Sequence, residues 1–249
     1  MPPIVLTFAA SDPTGGAGLQ ADLLTLAALG CHPLSVLTGL TVQDTSGVEQ
    51  LEVIAAELVT RQAHRVLAES RVAAFKVGVL GSADNVRAVA AIAAAHAQVP
   101  LVLDPVLASG RGDPLAGEAV LAALLESLVP RATVVTPNTL EAKHLGGVER
   151  LLERGCRYVL VTGTHDASAE VSNRLYDSGG LVREDRWKRL PGSYHGSGCT
   201  LASAIAAHLA KGREVPEAAR AAQEFTWQAL AAGFRTGAGQ AVPNRFFSR

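Results

Sequence analysis

Between residues 4 and 161, short unbroken apolar runs alternate with longer stretches of helical period. The runs predict strands at 4–9, 34–40, 73–77, 101–103, 133–135 and 158–161. Their Val, Ile and Leu stand at successive rather than alternate positions, the pattern of strands buried on both faces. Between them, Ala-rich segments predict helices at 18–29, 55–68, 83–95, 117–128 and 138–152, each long enough for a crossover connection. Strand, helix, strand repeated in this way predicts an α/β fold with a mostly parallel central sheet and helices on both faces. After 161 the rhythm changes: 171–176 and 181–187 flank Asp177-Ser178-Gly179-Gly180, which predicts a small antiparallel hairpin near residues 171–187. Two further helices, 199–210 and 215–233, precede a polar tail at 237–249. No linker, repeat or low-complexity tract interrupts this order, so one domain is expected over 1–249.

Composition narrows the function classes. With 48% apolar and 18% charged residues the chain has material for a large core, and disorder is excluded. Lys and Arg number 22 against 23 Asp and Glu, a net charge of −1 that offers no basic surface for a phosphate backbone, so no nucleic-acid partner is expected. No apolar run reaches the ~18–20 residues that span a bilayer, and Met1-Pro2-Pro3 opens no basic leader segment. No membrane partner and a cytoplasmic location are therefore expected. Cys31, Cys156 and Cys199 form no CxxC pair and are odd in number, which fits a reducing compartment.

Ligands of open parallel sheets sit beyond the carboxyl ends of the strands. After the first strand comes Ser11-Asp12-Pro13-Thr14-Gly15-Gly16-Ala17-Gly18, with Gln20 and Asp22 on the opening turns of a helix. Gly16-Ala17-Gly18-Leu19-Gln20-Ala21 matches G-x-G-x-x-A, but a Ser-Asp-Pro-Thr loop separates it from the strand, so a Rossmann cofactor site is disfavoured. Glycines placed only for a tight turn are a simpler reading, which leaves Asp12, Gln20 and Asp22 unexplained.

Tyr194-His195-Gly196-Ser197-Gly198-Cys199-Thr200 runs into an apolar helix. Such a turn aims several backbone N–H groups and the positive helix end at one point, an anion site. Cys199, on the first turn, is expected to have a lowered thiol pKa there; a small buried hydrophobe is the alternative. Asp104 closes the run Val102-Leu103, and Asn138 and Glu141 share one face of a helix start. Such oxygen ligands suit Mg²⁺, while Asn138 and Glu141 equally suit an N-terminal capping box. P-loop, nucleophile-elbow and HExxH motifs are absent from the sequence.

Taken in order, these segments resemble the hydroxymethylpyrimidine/phosphomethylpyrimidine kinases of thiamin biosynthesis, a branch of the ribokinase-like superfamily. The resemblance rests on 11–23, Ala28-Leu29-Gly30, Thr41-Val42-Gln43-Asp44-Thr45, Lys76-Val77-Gly78-Val79-Leu80, Leu103-Asp104-Pro105-Val106, Gly112-Asp113-Pro114-Leu115, Thr136-Pro137-Asn138 with Glu141-Ala142, and Gly196-Ser197-Gly198-Cys199-Thr200. It implies a ribokinase-like domain, usually a homodimer, that phosphorylates a small-molecule pyrimidine, 4-amino-5-hydroxymethyl-2-methylpyrimidine or its monophosphate, with ATP and Mg²⁺. It further implies that Asp22 and Gln43 hold the substrate edge, with Leu80 and Val106 on the ring and Gly16 and Ala17 beside it. Cys199 resembles the catalytic base, Gly196, Ser197 and Gly198 the anion-stabilising turn, and Asp104, Asn138 and Glu141 the metal and phosphate set, with Thr162 and Thr164 at the nucleotide.

The chain departs from the family in places. Thr162-Gly163-Thr164-His165 stands where Lys-Gly-Gly-His is usual, removing a cation from the nucleotide phosphates; Arg111 stands near a usual Lys; Ser197 replaces Thr; and the stretch from Glu141 to Cys156 is short. Two other readings remain beside the resemblance, a pyridoxine or pyridoxal kinase and a pyrimidine-binding regulatory protein that has lost transfer.

Overall fold

The computed structural model describes residues 1–108, 115–164 and 168–248. Its centre is a nine-stranded sheet in the order β3-β2-β1-β4-β5-β6-β7-β8-β9. Strands β1 (Ile4–Ser11), β2 (His32–Gln43), β4 (Ala74–Val77), β5 (Leu101–Leu103), β6 (Val134–Val135) and β7 (Tyr158–Thr162) run parallel. β8 (Glu170–Asp177) and β9 (Gly180–Lys188) add the expected antiparallel hairpin at one edge.

Alternation along these strands explains their continuous apolarity. Leu6, Phe8, Phe75, Val77, Leu101, Leu103, Val135 and Val159 face one core layer with α2 (Ala56–Leu67), α3 (Ala83–Ala95) and α4 (Glu118–Ala123). Val5, Ala74, Val102, Val134, Leu160 and Leu175 face the other, packed on α1 (Gly18–Ala28), α7 (Ser197–Ala210) and α8 (Val215–Ala231). Every α7 residue from Thr200 to His208 is buried, and its alanines let the helix lie close against the sheet.

Three expectations need correction. A ninth strand, β3 (Val48–Val53), pairs antiparallel with the end of β2; its Glu49, Gln50 and Glu52 break up the apolar signal of an edge strand. The helix expected at 138–152 is two short ones, α5 (Thr139–His144) and α6 (Val148–Glu153), divided at Gly146 and Gly147, whose φ values of 93° and 96° no helix accommodates. The helix expected at 117–128 is α4 followed by a π-helical turn, Leu124–Leu128. The motif residues Arg111, Gly112, Asp113 and Pro114, and His165, lie outside the described residues. Among the described residues no helix is long and apolar enough to cross a membrane.

His208, near the carboxyl end of α7, is 7% exposed and its Nδ1 has no hydrogen-bond partner among the described residues. Burial, with Arg213 and Lys211 adding to it, pushes its pKa down to about 4. The unfolded chain therefore takes up a proton near pH 6.5 that the folded chain refuses, and stability falls as pH drops from there toward 4. Urea titrations at pH 7 and pH 5 are expected to show wild type losing on the order of 1 kcal/mol more than His208→Gln. Equal losses in the two proteins would rule out this linkage.

Candidate active site

Beyond the carboxyl ends of the parallel strands opens a cavity of about 560 Å³. Ala17 and Gln43 line it at one side, Asp104 and Val106 follow β5, and Asn138 and Glu141 open α5. Thr162 at the end of β7 and Thr164 just after it border the cavity, and Gly196, Ser197, Gly198 and Cys199 close it at the start of α7.

The α7 terminus is shaped by glycine. Gly196 caps the helix with φ 81° and carries no capping side chain. A β-carbon there would run into the Gly16 carbonyl, so the left-handed turn and the close approach of two loops both demand glycine. A β-carbon on Gly198 would lie 3.8 Å from both Asp104 oxygens, which places that carboxylate directly before the helix end. The first-turn N–H groups and the macrodipole of α7 therefore meet the cavity at Asp104, which follows β5.

The first loop is tied to this turn from behind. His195 Nε2 lies 2.8 Å from Asp12 Oδ2, and Asp12 also accepts from Thr14 N at 2.8 Å and Ala17 N at 2.7 Å. Burial pushes the Asp12 carboxyl up, but the bonds from His195, Ala17 and Thr14 together hold it below its ordinary value. Asp12 thereby fixes the turn that presents Ala17 and Gly18 to the cavity.

Asp22 lies elsewhere than expected. It is fully buried between α1 and the sheet, and its oxygens accept from Thr7 Oγ1 at 2.6 Å, Ser203 Oγ at 2.8 Å and Lys76 Nζ at 2.9 Å. Both oxygens are taken up by these partners and Asp22 is not among the residues that line the cavity, so no free oxygen is offered to a substrate edge. Its partner Lys76 sits in β4 on the same sheet face as Ala74, toward α7. Burial pulls the Lys76 pKa down, but Asp22, Cys199 and Asp104 outweigh it and the ammonium stays charged. Leu80 belongs to the core beside a small notch rather than to the cavity, and Val79 takes the lining position. Gly16 is covered by His195, against whose ring a β-carbon would press.

The expected lowering of the Cys199 pKa is also corrected. Burial, the carboxylates of Asp104 and Asp22 together outweigh Lys76 and the Gly18 N–H, and push the thiol up to about 12. Burial similarly lifts Asp104 to about 6, opposed by Lys76 and the neighbouring thiol, and lifts Glu141 to about 7 with help from Asp104. The Asp104 charge thus bears on Glu141, and Lys76 offsets only part of the rise at Asp104 itself.

Asp104 Oδ2 is buried and has no hydrogen-bond partner among the described residues. Among the described residues no group of three or more His, Cys, Asp or Glu forms a closed metal cage. One orphaned carboxylate oxygen with a second carboxylate beside the amino end of α7 fits Mg²⁺, which commonly takes one or two carboxylates and completes its shell with phosphate and water. The capping-box reading of α5 holds at the same time: Asn138 Oδ1 accepts from Leu140 N and Glu141 N at 2.9 Å, and Glu141 Oε2 accepts from Asn138 N at 2.9 Å. The box fixes Glu141 at the cavity wall.

Lys76, His195 and Arg245 are site-forming residues without an assigned role in the sequence reading. A lysine inside an apolar strand, Ala74-Phe75-Lys76-Val77, is a legible signal for the first. His195 and Arg245 depend on tertiary contacts that no local pattern encodes.

Comparisons with known proteins bear on the fold and the family. A hydroxymethylpyrimidine/phosphomethylpyrimidine kinase of Streptomyces coelicolor is 42% identical over 254 residues, covering 96% of this chain and 92% of that one. A crystal structure of phosphomethylpyrimidine kinase from Clostridium difficile 630 superposes with TM-score 0.79 at 30% identity, covering 91% of this chain and 99% of that one. The pyridoxal kinase of Staphylococcus aureus in complex with AMP-PCP and pyridoxal superposes with TM-score 0.88 at 26% identity, covering 100% of this chain and 96% of that one. The family model described as phosphomethylpyrimidine kinase matches residues 12–244. With a ribokinase-like sheet, a glycine-built helix start beside Asp104 and a match over nearly its whole length, the chain belongs to the phosphomethylpyrimidine kinase family.

Proposed function

We propose that the protein transfers the γ-phosphoryl group of ATP to the hydroxymethyl oxygen of 4-amino-5-hydroxymethyl-2-methylpyrimidine, and in a second turnover to the phosphate of that ester. The observation that carries this reading is the meeting of the α7 amino end, Cys199 and Asp104 at one wall of the cavity. Gln43 offers one donor and one acceptor group to the aminopyrimidine edge, and Val79 and Val106 supply apolar surface for the ring. Asp22 keeps Lys76 in place and is withdrawn from substrate recognition.

Asp104 and Glu141 would hold Mg²⁺, which when bound neutralises charge on the nucleotide phosphates and on these two carboxylates. The hydroxymethyl oxygen forms its bond to the γ-phosphorus as the bond to the β-γ bridging oxygen breaks, and ADP leaves. Cys199 first gives its own proton to bulk water, and the thiolate Sγ then takes the hydroxyl proton as the new oxygen–phosphorus bond forms. Backbone N–H groups of 196–198 stabilise charge on the transferred group. Thr162 and Thr164 offer hydroxyl donors in place of a cation to the remaining phosphates.

ADP release measured with ATP, Mg²⁺ and the aminopyrimidine alcohol, its monophosphate or pyridoxal tests the reading. Turnover is expected with the alcohol, at a kcat/KM above that for pyridoxal. Saturable pyrimidine binding without ADP would instead make the protein a binding protein, and a preference for pyridoxal would reassign the substrate.

A further inference from the structure

Arg245 lies just beyond the family-matched segment 12–244 and is 3% exposed. It arrives on the segment after α8, which is pinned along its length: Gln240 N donates to Thr45 O at 2.9 Å, Ala241 N to Ser193 O at 3.1 Å, and Asn244 N to Ala229 O at 2.9 Å. Its guanidinium then bridges two loops far apart in sequence. Nη1 donates to Gly15 O at 3.3 Å and Nη2 to Gly16 O at 2.5 Å, while Nε donates to Thr200 Oγ1 at 3.2 Å. Thr200 Oγ1 in turn donates to Gly196 O at 2.8 Å, so the chain of bonds ends on the residue that caps α7.

We infer that Arg245 is a positioning residue for phosphoryl transfer: it clamps the Gly15–Gly16 turn against the Gly196–Thr200 turn and so sets the spacing between the substrate loop and the anion-binding helix end. This inference rests on the kinase reading above. Two features of the contact argue for it over general packing. The fork geometry of a guanidinium matches three acceptors on two loops, which a single ammonium cannot reproduce. In addition, among the described residues no carboxylate forms an ion pair with this buried cation. A buried charge without a counter-ion is costly where only stability is at stake. Burial accordingly pulls the Arg245 pKa down, and Cys199, Asp22 and Asp12 act from a distance to raise it. Its positive field stands behind the α7 amino end, the place where phosphoryl charge is to be held. Gly16 O, its strongest partner, is the atom against which Gly196 packs, so loss of the clamp frees the turn to shift.

The test measures kcat and KM for ATP and for the aminopyrimidine alcohol in wild type, Arg245→Ala, Arg245→Lys and Thr200→Val, with melting temperatures alongside. Arg245→Ala is expected to lose about 10²-fold in kcat with both KM values within about threefold of wild type, because misplacement of the reacting loop costs rate rather than binding. Arg245→Lys is expected to recover part of the loss, and millimolar guanidinium ion is expected to restore Arg245→Ala by about tenfold. Thr200→Val keeps the backbone bond from Thr200 N to Gly196 O and removes only the relay. Its expected loss is about tenfold in kcat, which keeps the inference open to refutation even where Arg245→Ala does not fold. Folded Arg245 variants within twofold of wild-type kcat, a loss that neither Lys nor guanidinium relieves, or Thr200→Val at wild-type rate would overturn it. A wild type that releases no ADP would overturn the kinase reading itself, and this inference with it.

Discussion

Replacing Cys199 with alanine is expected to lower kcat by about 10³-fold while leaving the KM for ATP nearly unchanged, the loss typical of a removed general base. The substitution deletes one sulfur atom at the mouth of α7, and the glycines that shape this helix end need no side chain from it. The thiol of the free chain is pushed up to about 12 by burial, Asp104 and Asp22. Cys199 is therefore no resting thiolate, and iodoacetamide is expected to alkylate it more slowly at neutral pH than an ordinary free thiol. Cys199→Ala retaining more than a tenth of wild-type kcat would remove the base from this residue, and rapid alkylation would contradict the charge balance around it.

The second large effect concerns stability. Lys76→Met is expected to cost about 3–5 kcal/mol of unfolding free energy in urea, because it leaves the fully buried Asp22 carboxylate without its cation. The double variant Asp22→Leu with Lys76→Met removes both charges and is expected to regain a large part of the loss. Additive destabilisation by the two substitutions would show that the pair is not coupled. The buried pair also explains why a carboxylate on the opening turns of α1 is withdrawn from the cavity: Thr7 from β1, Lys76 from β4 and Ser203 from α7 all converge on it.

The parallel core was legible because its signal is local. Val5 and Leu6, or Val102 and Leu103, alternate between two covered faces, so the strands read as continuous apolar runs. β3 was not legible, since an edge strand with Glu49 and Glu52 on it has no such run and is held by pairing to β2. At the site, Asp104 stood out as a carboxylate ending an apolar strand, and Gly196-Ser197-Gly198 as a turn before an apolar helix. Both line the cavity. The direction in which Asp22 points was not legible, because helical spacing places a side chain on a face without saying which partners wait there. The rise in the Cys199 pKa was hidden for the same reason: the helix end is visible in the sequence, whereas the burial and the two carboxylates that outweigh it are brought together only by folding. Arg245, in a tail that reads as polar and Gly-containing, gains its significance from contacts with residues 229 and 230 positions away.

The most direct measurement is ³¹P NMR of the aminopyrimidine alcohol incubated with ATP, Mg²⁺ and the protein. A new phosphomonoester resonance coupled to methylene protons, rising in step with ADP, is the predicted result. ADP with only inorganic phosphate, or bound pyrimidine with no new phosphorus signal, would contradict transfer to the hydroxymethyl oxygen.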